Sequence, residues 1–285
     1  MTDIQDGYVA GVRTLPGTGL AYVEAGRGRP TVLLHGSLTD LRYWQRSGQL
    51  DALAAGRRVI TPSRRHNHPN APRAFGEAYD AHDDAADLVA LLQVLGTGPV
   101  DLLGHSYGAY GALLMALDHP GLVRRLVLAE PPIMRWLPLV ERGEGIWERF
   151  EQRVWRPIGD AFADGGDEAG LDVTARWYFG RPYAEIESAW QHDFRDSVRE
   201  WRALTTSCDA FPMVPFERVA ALATKTLILS AGKNAGGFND LIDTQLAALL
   251  PNARRVVVPD VSHELFLDAP ELLARTVAAF FAEDD

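Results

Sequence analysis

A single cysteine, Cys208, stands in a chain of 285 residues. One cysteine excludes an internal disulfide, and no motif centred on it marks a thiol nucleophile. No apolar run approaches the roughly 20 residues that a membrane-spanning helix needs. The opening residues, MTDIQDGYVAGVRT, lack the charged-then-apolar pattern of a secretory signal. These absences make the cytoplasm the expected compartment. Positive charge is also scarce: 28 Lys and Arg face 38 Asp and Glu, a formal net charge of −10. That balance argues against nucleic acid and anionic membrane as partners. No repeat and no low-complexity linker interrupts the chain. No phosphate-binding motif is present, so no cofactor is expected.

What is present is a rhythm of short apolar runs and helical spacings, in a chain that is 47% hydrophobic. Residues 8–25 read as a β-hairpin, with Tyr8–Val9 and Val12 to Thr14 returning through Leu20 to Glu24. Thr31–Leu34 reads as a strand of the buried, parallel kind, and Arg58–Ile60, Val100–Leu103, Leu126–Ala129, Thr226–Leu229 and Arg255–Val258 read as further strands. Helical spacing covers Tyr43–Ala55, Tyr79–Leu95, Ala109–Asp118, Asp240–Leu250 and Pro270–Ala282. From Met134 to about Pro215 the strand signal disappears. Helix-length segments at 138–156, 160–180 and 183–206 take over, and six of the seven tryptophans lie there. The alternation predicts an α/β fold with a mostly parallel sheet covered on both faces. Ligands in such folds sit beyond the carboxyl ends of the strands. Ser37, Ser106, Glu130 and His263 all fall just past strand ends.

One stretch organises the rest. Strand 100–103 runs into Gly104–His105–Ser106–Tyr107–Gly108, and a helix follows at once. The Gly–X–Ser–X–Gly spacing suits a sharp strand-to-helix turn with the serine at its apex. The helix N-terminus then sets partial positive charge beside that hydroxyl. A serine hydroxyl needs a base, and an imidazole held by a carboxylate serves best near neutral pH. Chain order Ser, acid, His is the order such an elbow predicts, and Ser106, Glu130, His263 satisfies it.

Leu33–Leu34–His35–Gly36 after a strand, the elbow itself, a helical insertion after the sixth strand and Val261–Ser262–His263 near the C-terminus carry a resemblance. Along nearly its whole length the chain resembles the α/β-hydrolase superfamily. The resemblance implies a mostly parallel eight-stranded sheet, formed by a core domain of residues 1–133 and 216–285. It implies a helical cap over 134–215. It makes Ser106 the nucleophile and His263 the general base, with an oxyanion hole from the backbone N–H groups of Tyr107 and Ser37. The Ser37 hydroxyl is either a third donor or a plain loop serine.

The acid departs from the common pattern. The loop after strand 226–229 reads Ser230–Ala231–Gly232–Lys233–Asn234–Ala235, with no carboxylate where most members carry an aspartate. Asp240 is the nearest acid there, and it reads as a helix-start residue. Glu130 is the favoured alternative. It ends the strand beside the nucleophile strand, where haloalkane dehalogenases and the zearalenone lactonase resemble this chain in placing the acid. Ser106 cannot perform the alkyl displacement of the dehalogenases, whose nucleophile is an aspartate.

Three further readings complete the expectation. Arg64 and Arg65 are either rim residues for an acidic substrate group or, preferably, loop residues paired with Asp83, Asp84 or Asp87. His66 and His68 are too few for a metal site, so no metal is expected. Trp44 and Trp136 are wall candidates for an apolar pocket. The expected function is a serine hydrolase cleaving an ester or lactone of an apolar or aromatic small molecule through an acyl-enzyme, in a monomer or homodimer. A carbon–carbon hydrolase or lyase on the same fold, and a non-catalytic ligand receptor, are the alternatives.

Overall fold

The computed structural model describes residues 11–73 and 78–283. The segment Tyr8–Val9 of the expected hairpin lies outside these residues. The hairpin that is described pairs β1 (Arg13–Thr14) with β2 (Ala21–Ala25), antiparallel, around a turn closed by Leu15 and Leu20. β3 (Arg29–Leu34) follows, then α1 (Tyr43–Arg46), α2 (Gln49–Ala54) and β4 (Arg57–Pro62). The expected single helix over 43–55 is thus two. Gly48, at φ 70°, takes a left-handed turn between them that a β-carbon would resist. α3 (Ala81–Val94) starts at a reciprocal cap between Asp80 and Asp83. β5 (Val100–His105), α4 (Tyr107–Asp118) and β6 (Val123–Ala129) complete the first half.

Between β6 and the next strand the described structure is helical: α5 (Glu144–Phe150), α6 (Arg156–Phe179), α7 (Ser188–Asp196), α8 (Val198–Thr205) and α9 (Phe216–Ala220). A π-turn over Glu151–Trp155 joins α5 to α6, and Gly166 kinks α6. The chain closes with β7 (Lys225–Ala231), α10 (Phe238–Leu249), β8 (Ala253–Val258), α11 (Leu265–Asp268) and α12 (Pro270–Ala282). Among the described residues no helix is long and apolar enough to cross a membrane.

The eight strands form one sheet in the order β1-β2-β4-β3-β5-β6-β7-β8. β2 runs antiparallel to β4, and every pairing from β4 to β8 is parallel. Both faces are buried along the central strands β5, β6 and β7, less so at the edges β1 and β8, and alternate strand residues serve opposite faces. Leu34, Leu102, Leu126 and Leu128 join one cluster; Leu33, Leu103, Val127 and Leu229 join the other. The first cluster runs without a break from the sheet through α4 into the insert, taking in Ile158, Phe162, Leu171 and Trp201. Each fully buried leucine contributes roughly 1.5–3 kcal/mol, so insert and body are fastened by the same apolar surface. Strand order reverses at β3, since β4 lies on one side and β5 on the other. The loops leaving β3 and β5 therefore flank the crevice where such sheets bind ligands.

Candidate active site

The turn after β5 is as tight as its glycines require. A β-carbon on Gly104 would lie 2.4 Å from the Ala109 Cα, and one on Gly108 would lie 2.3 Å from the His35 carbonyl oxygen. Ser106 sits at the apex at φ 51°. Leu38 (φ 60°) and Glu130 (φ 49°) are also left-handed. For residues other than glycine this conformation costs about 1–3 kcal/mol each. All three follow carboxyl ends of neighbouring strands, so the strain is concentrated at one rim of the sheet.

At that rim the Ser106 Oγ lies 2.9 Å from His263 Nε2, and His263 Nδ1 lies 2.6 Å from Glu130 Oε2. Residues 157 and 133 positions apart thus form one continuous hydrogen-bonded row. Such a row can pass a proton from a hydroxyl to an imidazole while a carboxylate stabilises the resulting cation. Ser106 is half-buried and the His263 side chain is 25% exposed, so the row is reached from solvent at one end. Glu130 closes the other end at 0% side-chain exposure.

The surroundings of Glu130 explain how a buried carboxylate stays ionised. Burial alone would raise its pKa. The bond and charge of His263, the Ala231 N–H (2.9 Å) and the Asn234 amide (3.0 and 2.8 Å to the two oxygens) outweigh it and hold the carboxyl below its ordinary value. Asn239 donates a further bond at 2.9 Å. His263 moves the other way. Burial would lower its pKa, but the bond and charge of Glu130, then the charges of Glu264 and Asp243, raise it above 6.5. The loop that holds no carboxylate at the common position thus supplies Asn234, an amide donor, to the carboxylate that stands elsewhere. Asp240 faces away from this row. It accepts from Arg255 at 2.5 Å and from the Gly236 N–H at 2.8 Å, at the start of α10.

The loop after β3 lies against the elbow. A β-carbon on Gly36 would come within 3.0 Å of the Ser106 Cβ and 3.3 Å of His105 Nδ1. His35 bridges two loops, with Nδ1 at 2.8 Å from the Gly36 carbonyl and Nε2 accepting the Arg64 N–H at 2.9 Å. Burial, then the charge of Arg64, hold its pKa well below 6.5, so it is a neutral strut. Ser37 is next in line, and its hydroxyl donates to Glu200 Oε1 at 2.8 Å. With that proton committed to Glu200, the hydroxyl is not a third donor for an oxyanion in this arrangement. Tyr107 is the first residue of α4, a position whose N–H has no partner within the helix.

Several expected site residues lie elsewhere. Trp44 and Trp136 are both 0% exposed and line no accessible wall. Trp44 packs edge-on against Phe266 beneath the His263 loop. Trp136 donates its indole N–H to the Val214 carbonyl at 2.7 Å and crosses Phe216, tying the two ends of the insert together. Arg64 is not a rim residue. It is buried, and it pairs with Asp84 at 2.8 Å and Glu200 at 2.9 Å. Arg65 pairs with Asp83 at 2.6 Å and Asp87 at 2.9 Å. His66 stacks edge-on against Tyr79. Among the described residues no three His, Cys, Asp or Glu side chains cluster as a metal site would need.

Four supporting residues escape a reading of the sequence. Asn234 and Asn239 grip Glu130. His105, which burial holds at a pKa of about 4, meets the His263 backbone carbonyl through Nε2 at 2.9 Å and stacks on Tyr43. Glu200 is the innermost of a row of contacts between the insert and residues 37–46. Asp193 pairs with Arg46 and Asp196 with Arg42, both at 2.5 Å; Ser197 Oγ donates to the Thr39 carbonyl at 3.0 Å; Glu200 accepts from Ser37. Positions 193, 196, 197 and 200 have the sequence spacing of one helical face, although Ser197 divides them between α7 and α8; in isolation that polar pattern resembles a solvated surface.

The comparisons with known proteins agree with this architecture. The sequence model of the family described as alpha/beta hydrolase fold matches residues 30–270. An sn-1-specific diacylglycerol lipase, ABHD11 of Mus musculus, is 36% identical over 99 residues, spanning 35% of this chain and 31% of that protein. A cis-3-alkyl-4-alkyloxetan-2-one decarboxylase of Xanthomonas campestris is 24% identical over 294 residues, spanning 93% of each. The crystal structure of an enol-lactonase from Burkholderia xenovorans superposes with a TM-score of 0.73 at 21% identity, covering 95% of this chain and 100% of that one. Its likeness is one of fold. By its sequence from 30 to 270 and by its sheet, this chain belongs to the alpha/beta hydrolase fold family.

Proposed function

We propose that the protein is a cofactor-independent serine hydrolase acting on a carboxylic ester or lactone of an apolar small molecule. The observation that carries this reading is the unbroken row Ser106 Oγ–His263–Glu130, with links of 2.9 and 2.6 Å. His263 Nε2 takes the Ser106 proton as Oγ attacks the carbonyl carbon. Negative charge on the carbonyl oxygen is met by the N–H groups of Tyr107 and Ser37, at the positive end of α4. The protonated His263, held by Glu130, passes its proton to the leaving alkoxide, and an acyl-enzyme remains. Water, deprotonated by His263, attacks that ester and regenerates Ser106.

The aromatic insert supports an apolar substrate, since helices rich in Trp and Phe above such a rim exclude water. The Xanthomonas relative is named a decarboxylase of an oxetan-2-one, which favours one second reading: cleavage of a lactone without net addition of water.

One set of measurements tests both. A fluorophosphonate should label the protein, and p-nitrophenyl esters and simple lactones should be turned over. Ser106→Ala should lose labelling and at least about 10³-fold in kcat. Hydrolysis in ¹⁸O-water should place the heavy oxygen in the acid product; its absence from the product, with turnover intact, selects the lyase. A wild-type protein that neither labels nor turns over any carbonyl substrate is a ligand receptor, and the hydrolase reading falls.

A further inference from the structure

Glu200 belongs to α8 in the insert, 163 residues from Ser37, yet its carboxylate reaches into the turn beside the nucleophile. It is 0% exposed. One oxygen accepts the Ser37 hydroxyl at 2.8 Å and meets Arg64 Nη2 at 2.9 Å, and the Leu38 N–H lies near enough to favour the carboxylate's charge. Leu38 is the residue held at φ 60°. A leucine does not rest there without support, and a buried carboxylate that faces its N–H and holds the preceding side chain is such support. The same carboxylate therefore ties Ser37 directly, in the turn that lies against Ser106. A bare negative charge so near a forming oxyanion would oppose it; the Arg64 guanidinium, itself stacked over the Tyr107 ring at 4.7 Å, balances that charge.

We propose that Glu200 is a positioning residue for the oxyanion hole: by holding the Ser37–Leu38 turn from the insert, it sets the Ser37 N–H for the transition state. The inference rests on the serine hydrolase reading above. Seating of α8 and completion of the oxyanion hole are then one event. The insert roofs the site and also finishes its electrostatics. Burial pushes the Glu200 carboxyl above its ordinary value, against the charge of Arg64 and the bond from the Ser37 hydroxyl. The strength of these contacts is what keeps a group there at all.

The test compares Glu200→Ala, Glu200→Gln and Ser37→Ala with the parent, using an ester substrate and a fluorophosphonate probe. Phosphonylation of Ser106 places charge on the same donors as acylation, so both reactions report the hole. Removing a single oxyanion donor costs about 10²–10³-fold in kcat, and a misplaced donor should cost about 10–100-fold. Glu200→Ala is expected to lose that much in both kcat and the phosphonylation rate, with KM little changed. Glu200→Gln keeps an acceptor for the Ser37 hydroxyl and should recover most of the loss. Ser37→Ala, which keeps the backbone N–H but not the tie, should fall between them. If Glu200→Ala does not fold, the other two variants decide. Kinetic constants equal to the parent's per folded molecule overturn the proposal, as does a loss confined to KM or to the melting temperature. A parent protein that the probe does not label overturns the serine hydrolase reading instead, and this inference with it.

Discussion

Two buried glutamates flank the same serine, and their environments push them in opposite directions. Glu130, 1% exposed, sits among an imidazole, a backbone N–H and two asparagine amides, and its carboxyl is held below its ordinary value. Glu200, 0% exposed, has one arginine to share with Asp84 and a bond from the Ser37 hydroxyl, and its carboxyl is raised. Among the described residues its second oxygen has no hydrogen-bond partner. Burial costs both groups the hydration of their charge. The difference lies in the number of donors aimed at each carboxylate, because a charge-assisted hydrogen bond is worth about 1.5–3 kcal/mol. Burial opposes both charges; the donors around Glu130 outweigh it and those around Glu200 do not.

The largest expected effect comes from removing the charge of the first group. Glu130→Gln should lower kcat/KM by about 10⁴-fold, as loss of the orienting carboxylate does in a hydroxyl–imidazole–carboxylate row. Its pH profile carries a second signature. Activity needs neutral His263, whose pKa lies above 6.5 in the parent, so the acid limb of kcat/KM should fall above that pH. Without the Glu130 charge the imidazole pKa drops, and the limb should move to lower pH. An acid limb that stays in place would separate Glu130 from His263.

An intermediate effect should follow from stripping one donor off Glu130. Asn234→Ala removes bonds to both oxygens, and a loss of about 10–100-fold in kcat is expected from a charge-assisted bond of that strength. Turnover at the parental rate would show that Ala231, Asn239 and His263 suffice. The smallest effect should come from Asp240→Asn. Its pairing with Arg255 is partly exposed, at 31% and 18%, and exposed pairs contribute about 0–1 kcal/mol. Turnover should stay near parental and the melting temperature should barely move; a large loss of kcat would make Asp240 the acid and sink the assignment of Glu130.

The sequence made the rim legible because Ser106 and Glu130 follow apolar runs that read as doubly buried strands, while His263 follows the edge strand β8. Val100–Leu103, Leu126–Ala129 and Thr226–Leu229 lie within β5, β6 and β7, and the residues just beyond the first two are Ser106 and Glu130. Strand ends were less legible, since Thr61 and Pro62 extend β4 by pairing across to β2 rather than by any local preference. The insert was legible as helical but not in its divisions. The π-turn at Glu151–Trp155 carries the chain directly into α6, and Ser197 separates α7 from α8 inside what reads as one segment. The supporting residues were hidden for another reason. Asn239 and Glu200 act across 109 and 163 residues, and nothing in their local sequence distinguishes an amide or a carboxylate that grips a distant group from one that faces water. Trp44 and Trp136 misled for the complementary reason: nearness in sequence to site residues does not expose an indole to the cleft.

Helix α4 carries Ser106 at its head and also anchors the way back from the insert. The Tyr107 hydroxyl donates to the Ala210 carbonyl at 2.6 Å, and the Tyr110 hydroxyl donates to that of Pro212. Both phenols are buried, so any replacement roof must offer them carbonyls at the same two points or strand them. Grafting a relative's helices to alter selectivity is therefore a redesign of the helix that carries Ser106, and a chimaera joined only at 134 and 215 would disturb the serine it was meant to leave alone.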